Sequence, residues 1–163
     1  MNTMLLHDFA YVPVSAERVC DRITAEDREW LAPLAAAAMS EGESLRLRIG
    51  PFTVVPLLAK TVSLEVGEPL KRDEVTIVPL TWRATATPGL FPMMSADLEV
   101  VALDAELTQL TFRGRYEPPL GAVGRRLDRL LMHRVAEASV RSFLGRLVAT
   151  LAATEAVEPA ALS

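Results

Sequence analysis

The chain has 163 residues, enough for one hydrophobic core of ordinary size and too few for two comfortable domains. Half of the residues are apolar and 23% are charged, with 8 glycines and 11 prolines, a balance that excludes a disordered, collagen-like or repeat chain. The net charge of −4 argues against the basic surface of a nucleic-acid binder, and the single cysteine, Cys20, excludes an internal disulfide and a cysteine-based zinc cluster.

Phe9 to Val14 alternates and is rich in strand formers, with Pro13 limiting it to a strand end or an edge. Ser15-Ala16-Glu17-Arg18 predicts a helix cap with acid in the first turn, and Val19, Cys20 and Ile23 supply that helix with an apolar side. Thr24-Ala25-Glu26-Asp27 repeats the signal and predicts a second helix through Trp30, Leu31, Leu34 and Ala38, kinked or stopped early by Pro33. From Leu45 to Tyr116 the period changes to two. Leu45, Leu47 and Ile49 alternate with Arg46 and Arg48, and Val62, Leu64 and Val66 alternate with Thr61, Ser63 and Glu65, as half-buried antiparallel strands do. Val75 and Ile77 stand in one phase and Val78, Leu80 and Trp82 in the other, so a bulge or bend is expected around Pro79. Leu98, Val100 and Ala102, then Leu110, Phe112, Gly114 and Tyr116, continue the dry phase across a hairpin turn at Asp104-Ala105. After Pro118-Pro119, helix formers run unbroken by proline from Leu120 to Ala153, and Thr154 to Ser163 has no pattern. No apolar run approaches the roughly 18 residues of a membrane span, and the first basic residue, Arg18, comes too late to flank a signal peptide, so a cytoplasmic location is expected.

A strand, two short helices, a run of antiparallel strands and one long last helix is the order of the helix-grip fold. The end of the chain, Phe112-Arg113-Gly114-Arg115-Tyr116-Glu117-Pro118-Pro119-Leu120-Gly121-Ala122-Val123-Gly124 running on through Leu127 and Leu131 to Phe143-Leu144, resembles the START-like (SRPBCC, polyketide cyclase and dehydrase-like) superfamily. Phe9-Ala10-Tyr11-Val12-Pro13-Val14-Ser15-Ala16-Glu17-Arg18-Val19 is similar to its first strand feeding a helix. The resemblance covers residues 7–150. It implies an α+β fold, a curved antiparallel sheet wrapped around the C-terminal helix, with residues 1–153 as one ligand-binding domain and 154–163 as a flexible tail. It also implies a cavity between sheet and helix; it names no catalytic residue, because the superfamily shares none.

Candidate chemistry is sparse. His7 and His133 are far apart in sequence and stand in no triad-like motif, and no phosphate loop or metal-ligand spacing is present, so neither cofactor nor metal is expected. Gly121 and Gly124 read as close packing. Trp82, Leu98, Val100, Phe112 and Tyr116 are in the dry phase and are expected to line the concave side of the sheet, either as a cavity wall or as plain core. Eight arginines fall between Arg113 and Arg146 against Glu117, Asp128 and Glu137. Of this set Arg134, Glu137 and Arg141 lie on one line of the helical wheel with Val123, Leu130, Leu144 and Val148 and can pair among themselves. Either they face the cavity and recognise an anionic head, or the helix rolls and shows them to water. Pro88 to Met94 is apolar without period, and Leu90, Phe91, Met93 and Met94 are expected to form a gate over the cavity.

The expected function is non-covalent binding of a small hydrophobic or amphipathic molecule, a lipid or a ligand with an anionic head included, with no nucleic-acid partner and no membrane span. Two alternatives stay open: a cyclase or aromatase-type enzyme using Glu137, His133 or Tyr116 for proton transfer, and a cavity-free domain for protein association.

Overall fold

The alternation in the middle of the chain becomes an antiparallel sheet. The computed structural model describes residues 3–49, 62–84, 93–116 and 126–157. Within them β1 (Met4–Val12), β2 (Val62–Val66), β3 (Leu70–Arg72), β4 (Val75–Ala84), β5 (Met94–Asp104) and β6 (Leu107–Tyr116) form a six-stranded sheet in the order β1-β6-β5-β4-β2, with β3 also paired to β4. Helices α1 (Ala16–Thr24) and α2 (Leu31–Ile49), joined by a 3-10 turn over Arg28–Trp30, come between β1 and β2, and α3 (Arg126–Val157) follows β6. This is the helix-grip arrangement that the sequence resemblance implies, with α3 packed on β1, β6 and α2.

The strands bury the phase that their alternation marks. Val78, Leu80 and Trp82 of β4, Leu98 and Val100 of β5, and Leu110, Phe112 and Tyr116 of β6 are all buried on the inner face. The helices meet them with Val19 and Ile23 of α1, Ala35 and Ala38 of α2, and Val140, Phe143, Leu144 and Leu147 of α3. Ser15 caps α1, its side chain accepting from the Arg18 N–H, and ion pairs tie α1 and α2 to α3, Arg18 to Glu155 and Glu41 to Arg146. Two-residue turns close both short hairpins. Glu106 N–H donates to Asp104 Oδ1 at 3.1 Å in one, and Asp73 takes a left-handed φ of 52° in the other, a conformation that aspartate tolerates.

Four expectations are corrected. The alternating Leu45–Ile49 segment is not a strand: α2 runs through it to Ile49, because alanine, leucine, glutamate and arginine favour helix and nothing harder than Gly42 interrupts them before Gly50-Pro51. Thr24 does not open the second helix but closes the first, its hydroxyl donating to the Cys20 carbonyl at 2.8 Å, while Pro33 sits in the first turn of α2, where a missing N–H costs nothing. Pro79 brings no slip in register, since β4 pairs with β5 without interruption from Val75 to Trp82. Its carbonyl accepts from Gly67 N–H at 2.8 Å where the chain leaves β2 for β3, so the absent N–H faces a break in the ladder and not a strand. The irregularity lies instead between β5 and β6 at Ala102/Asp104. Finally, α3 continues past Ala153 to Val157, so residues 154–157 belong to the helix; its expected first residues, Leu120 to Arg125, lie outside the described ones.

Candidate functional site

One row of side chains crosses the sheet from edge to edge. Leu64 pairs with Trp82, Trp82 with Met94, Met94 with Tyr116 and Tyr116 with Met4. Directly opposed residues share a face, so all five point inward at the end of the sheet where β4 and β6 finish and β1 and β5 begin. Trp82 and Tyr116 are fully buried; Leu64, Met94 and Met4 are half-buried and pack against the core. The next row inward, Leu80, Ala96, Gly114 and Leu6, has small residues at its centre. There the Phe112 ring leans over Gly114 so closely that a Cβ on that glycine would lie 2.7 Å from Phe112 Cε1. From α3, Phe143 closes the space, its ring centroid 5.3 Å from Trp82 and 6.3 Å from Phe112.

Among the described residues, two buried donors in this row have only sulfur to donate to. Trp82 Nε1–H meets Met39 Sδ of α2 at 3.0 Å, and the Tyr116 hydroxyl meets Met4 Sδ at 3.1 Å. A thioether is a weak acceptor, so both donors are satisfied poorly for groups so deeply buried. Burial, and then the nearby Glu137 carboxylate, push the Tyr116 hydroxyl up to about 12, so it is a neutral donor at any physiological pH.

Trp82, Leu98, Phe112 and Tyr116 are thus buried together on the inner face, and Phe143 packs on Trp82 and Phe112. Val100 shares that face and also borders an open groove of about 680 Å³, bounded by α1 and the β3–β4 turn through Glu17, Cys20, Asp21, Lys71, Asp73 and Glu74. Burial pushes the Cys20 thiol up, only partly opposed by a hydrogen bond with Thr76, so this cysteine is no activated nucleophile.

The charged set on α3 is placed differently from the inward-facing expectation. Arg134, Glu137 and Arg141 are exposed, because the buried stripe of the last turns, Leu144, Leu147 and Leu151, runs back through Val140 and Phe143 and carries the opposite side of the helix to water. Desolvating two guanidinium groups costs more than this roll. Nor do the three pair among themselves. Arg141 Nε donates to Asp8 Oδ2 of β1 at 3.4 Å, and Glu137 Oε1 lies 3.3 Å from His133 Nε2, whose ring Nδ1 is buried without a hydrogen-bond partner. Of the expected gate, Met93 is exposed and Met94 joins the inner row, while Leu90 and Phe91 lie outside the described residues. Met4 and Met39 escape the sequence reading, whereas Gly114 reads in the dry phase and Phe143 on the last helix, neither as a site residue. Met4 keeps the phase of Leu6 and Phe143 sits one residue from the predicted stripe, but nothing in the sequence places Met39 on Trp82.

Among the described residues no group of three or more His, Cys, Asp or Glu side chains is arranged to hold a metal ion, and no helix is long and apolar enough to cross a membrane. No protein-family model and no curated protein matches the chain. Among solved structures it is similar to the Zhui aromatase/cyclase from Streptomyces sp. R1128, with a TM-score of 0.47 and 14% identity over 92% of this chain and 94% of that one. It is also similar to Ara h 8.0201, with a TM-score of 0.44 and 9% identity over 91% of this chain and 99% of that one. A third is norcoclaurine synthase from Thalictrum flavum in complex with dopamine and hydroxybenzaldehyde, with a TM-score of 0.42 and 12% identity over 91% and 88%. At such identities no residue role or reaction transfers to this chain.

Proposed function

We propose that the protein binds a small, mostly apolar molecule non-covalently between the sheet and α3, at the Trp82–Tyr116 end, and that it does so in the cytoplasm. The observation that carries this reading is the inner row itself: apolar across the strands, supplied with two adaptable methionines, and holding two uncharged donors whose partners among the described residues are thioethers. A ligand oxygen is a better acceptor for either donor than sulfur is. The ligand head is therefore a neutral oxygen function and not an anion, since the Glu137 carboxylate acts on Tyr116 and Arg141 is engaged with Asp8. Native mass spectrometry of the gently purified protein tests the reading: a retained species that Tyr116→Phe and Trp82→Phe each weaken supports it, and a species held equally by all three forms refutes it.

A second reading, a cyclase or aromatase-type enzyme on the same scaffold, is favoured by one observation. Glu137 contacts His133 and acts electrostatically on Tyr116, so three groups able to hold or move a proton stand near the same end of the row. In this reading His133→Gln and Tyr116→Phe abolish turnover of an enolisable ketone while leaving its binding intact.

A further inference from the structure

Helix α2 makes two kinds of contact at the Trp82 end. Two residues apart on that helix, Met39 and Glu41 reach in different directions. Met39 Sδ accepts from Trp82 Nε1–H at 3.0 Å, while both carboxylate oxygens of Glu41 are taken by α3, Oε2 by the Ser142 hydroxyl and Oε1 by Arg146. Arg146 Nε in turn donates to Ser142 Oγ at 3.3 Å, so the three side chains close a ring of hydrogen bonds. That ring flanks Phe143, whose aromatic ring lies on Trp82. One exposed cluster therefore fixes the height of α2 over the buried indole.

We infer that Glu41, Ser142 and Arg146 form a latch that holds the Met39 thioether on the Trp82 N–H, and that a ligand oxygen taking that N–H has to displace Met39 against the latch. The inference rests on the proposed binding site and adds its regulation. A carboxylate that accepts from both a hydroxyl and a guanidinium is held in one geometry, whereas a lone thioether contact is easily given up. The strength therefore lies in the latch and the replaceable contact lies over the site. By linkage, whatever weakens the latch raises affinity for the ligand, and a bound ligand loosens the latch by the same factor. An exposed ion pair of this kind supports a coupling of about two- to fivefold.

The test uses the whole chain and two readouts. The first is the solvent-exchange rate of the Trp82 indole N–H by NMR, with the Trp30 indole as internal reference. The second is affinity for 6-propionyl-2-(dimethylamino)naphthalene, a neutral, mostly apolar fluorescent ketone whose carbonyl oxygen can accept from the Trp82 N–H. Glu41→Gln and Arg146→Met each speed Trp82 indole exchange at least about threefold and tighten probe binding about two- to fivefold, and the double variant goes no further than either single one. Arg18→Met, which breaks the separate α1–α3 pair to Glu155, leaves both readouts as in wild type. Unchanged indole exchange in Glu41→Gln and Arg146→Met overturns the latch even if the probe binds. Faster exchange with no probe binding in any form overturns the binding site and leaves the latch standing.

Discussion

Replacing Gly114 by alanine probes how tightly the inner row is packed. The added Cβ would stand 2.7 Å from Phe112 Cε1, 3.4 Å from Met94 Sδ and 3.5 Å from Leu6 Cβ, so the Phe112 ring has to move. It has little room, being fully buried and held edge-on to Phe143 at 6.3 Å. Overpacking of this kind costs about 1–3 kcal/mol, against which the loss of glycine's freedom in the unfolded chain returns about 0.4–1 kcal/mol. The net destabilisation lies above zero and reaches about 2.6 kcal/mol, a fall in Tm of up to roughly 10 °C for a chain of this length. Gly145 is the control, since a Cβ there meets nothing within 4 Å and the residue lies inside α3. Gly145→Ala is expected to gain about 0.5–1 kcal/mol from helix propensity and to melt higher. Thermal unfolding by circular dichroism reads both, and Gly114→Ala combined with Phe112→Leu loses less than the two single changes added together. A Gly114→Ala protein that melts at or above wild type shows slack around Phe112 and refutes the packing described for the row.

Three further expectations follow the same geometry. Phe143→Ala removes the ring lying between Trp82 and Phe112 and costs about 3–5 kcal/mol in chemical denaturation, part of which indole recovers by filling the space; no recovery means that the core collapses around the gap. Tyr116 has its folded pKa raised from 10.0 to about 12, so its contribution is whole below pH 10 and is lost as pH rises through that window, by at most about 2.7 kcal/mol; urea midpoints of wild type and Tyr116→Phe diverge on crossing it, and parallel profiles contradict the assignment. Thr108→Val leaves the Val14 carbonyl without the buried hydroxyl that donates to it at 2.7 Å and costs about 1–3 kcal/mol, with faster amide exchange at Val19 as α1 loosens.

Period-two alternation made β4, β5 and β6 legible because each strand has one wet and one dry side, and Trp82, Leu98, Phe112 and Tyr116 landed on the dry one. Alternation misled at Leu45–Ile49, where five residues of leucine, isoleucine and arginine satisfy both a strand pattern and helix propensity, and continuity with the alanine-rich turns before them decided for helix. On the helical wheel Arg134, Glu137 and Arg141 share a line with Val123, Leu130, Leu144 and Val148, apolar residues from both ends of the expected helix. The second half, from Val140 to Leu151, sets the roll of the helix, and solvation of the arginines agrees with it. Contacts made by Met4 and Met39 depend on how β1 and α2 dock, and a flexible side chain at an unremarked position carries no local signature.

A ligand site at the Trp82–Tyr116 end of the inner row is put to the test by titrating 6-propionyl-2-(dimethylamino)naphthalene into protein carrying 13C-labelled methionine methyls and 15N-labelled indoles. The account predicts saturable shifts at Met4, Met39, Met94 and the Trp82 indole, with the exposed Met93 methyl and the Trp30 indole scarcely moving. Shifts confined to amides of Cys20, Lys71 and Thr76, which line the groove beside α1, or no saturable shift at all, contradict it.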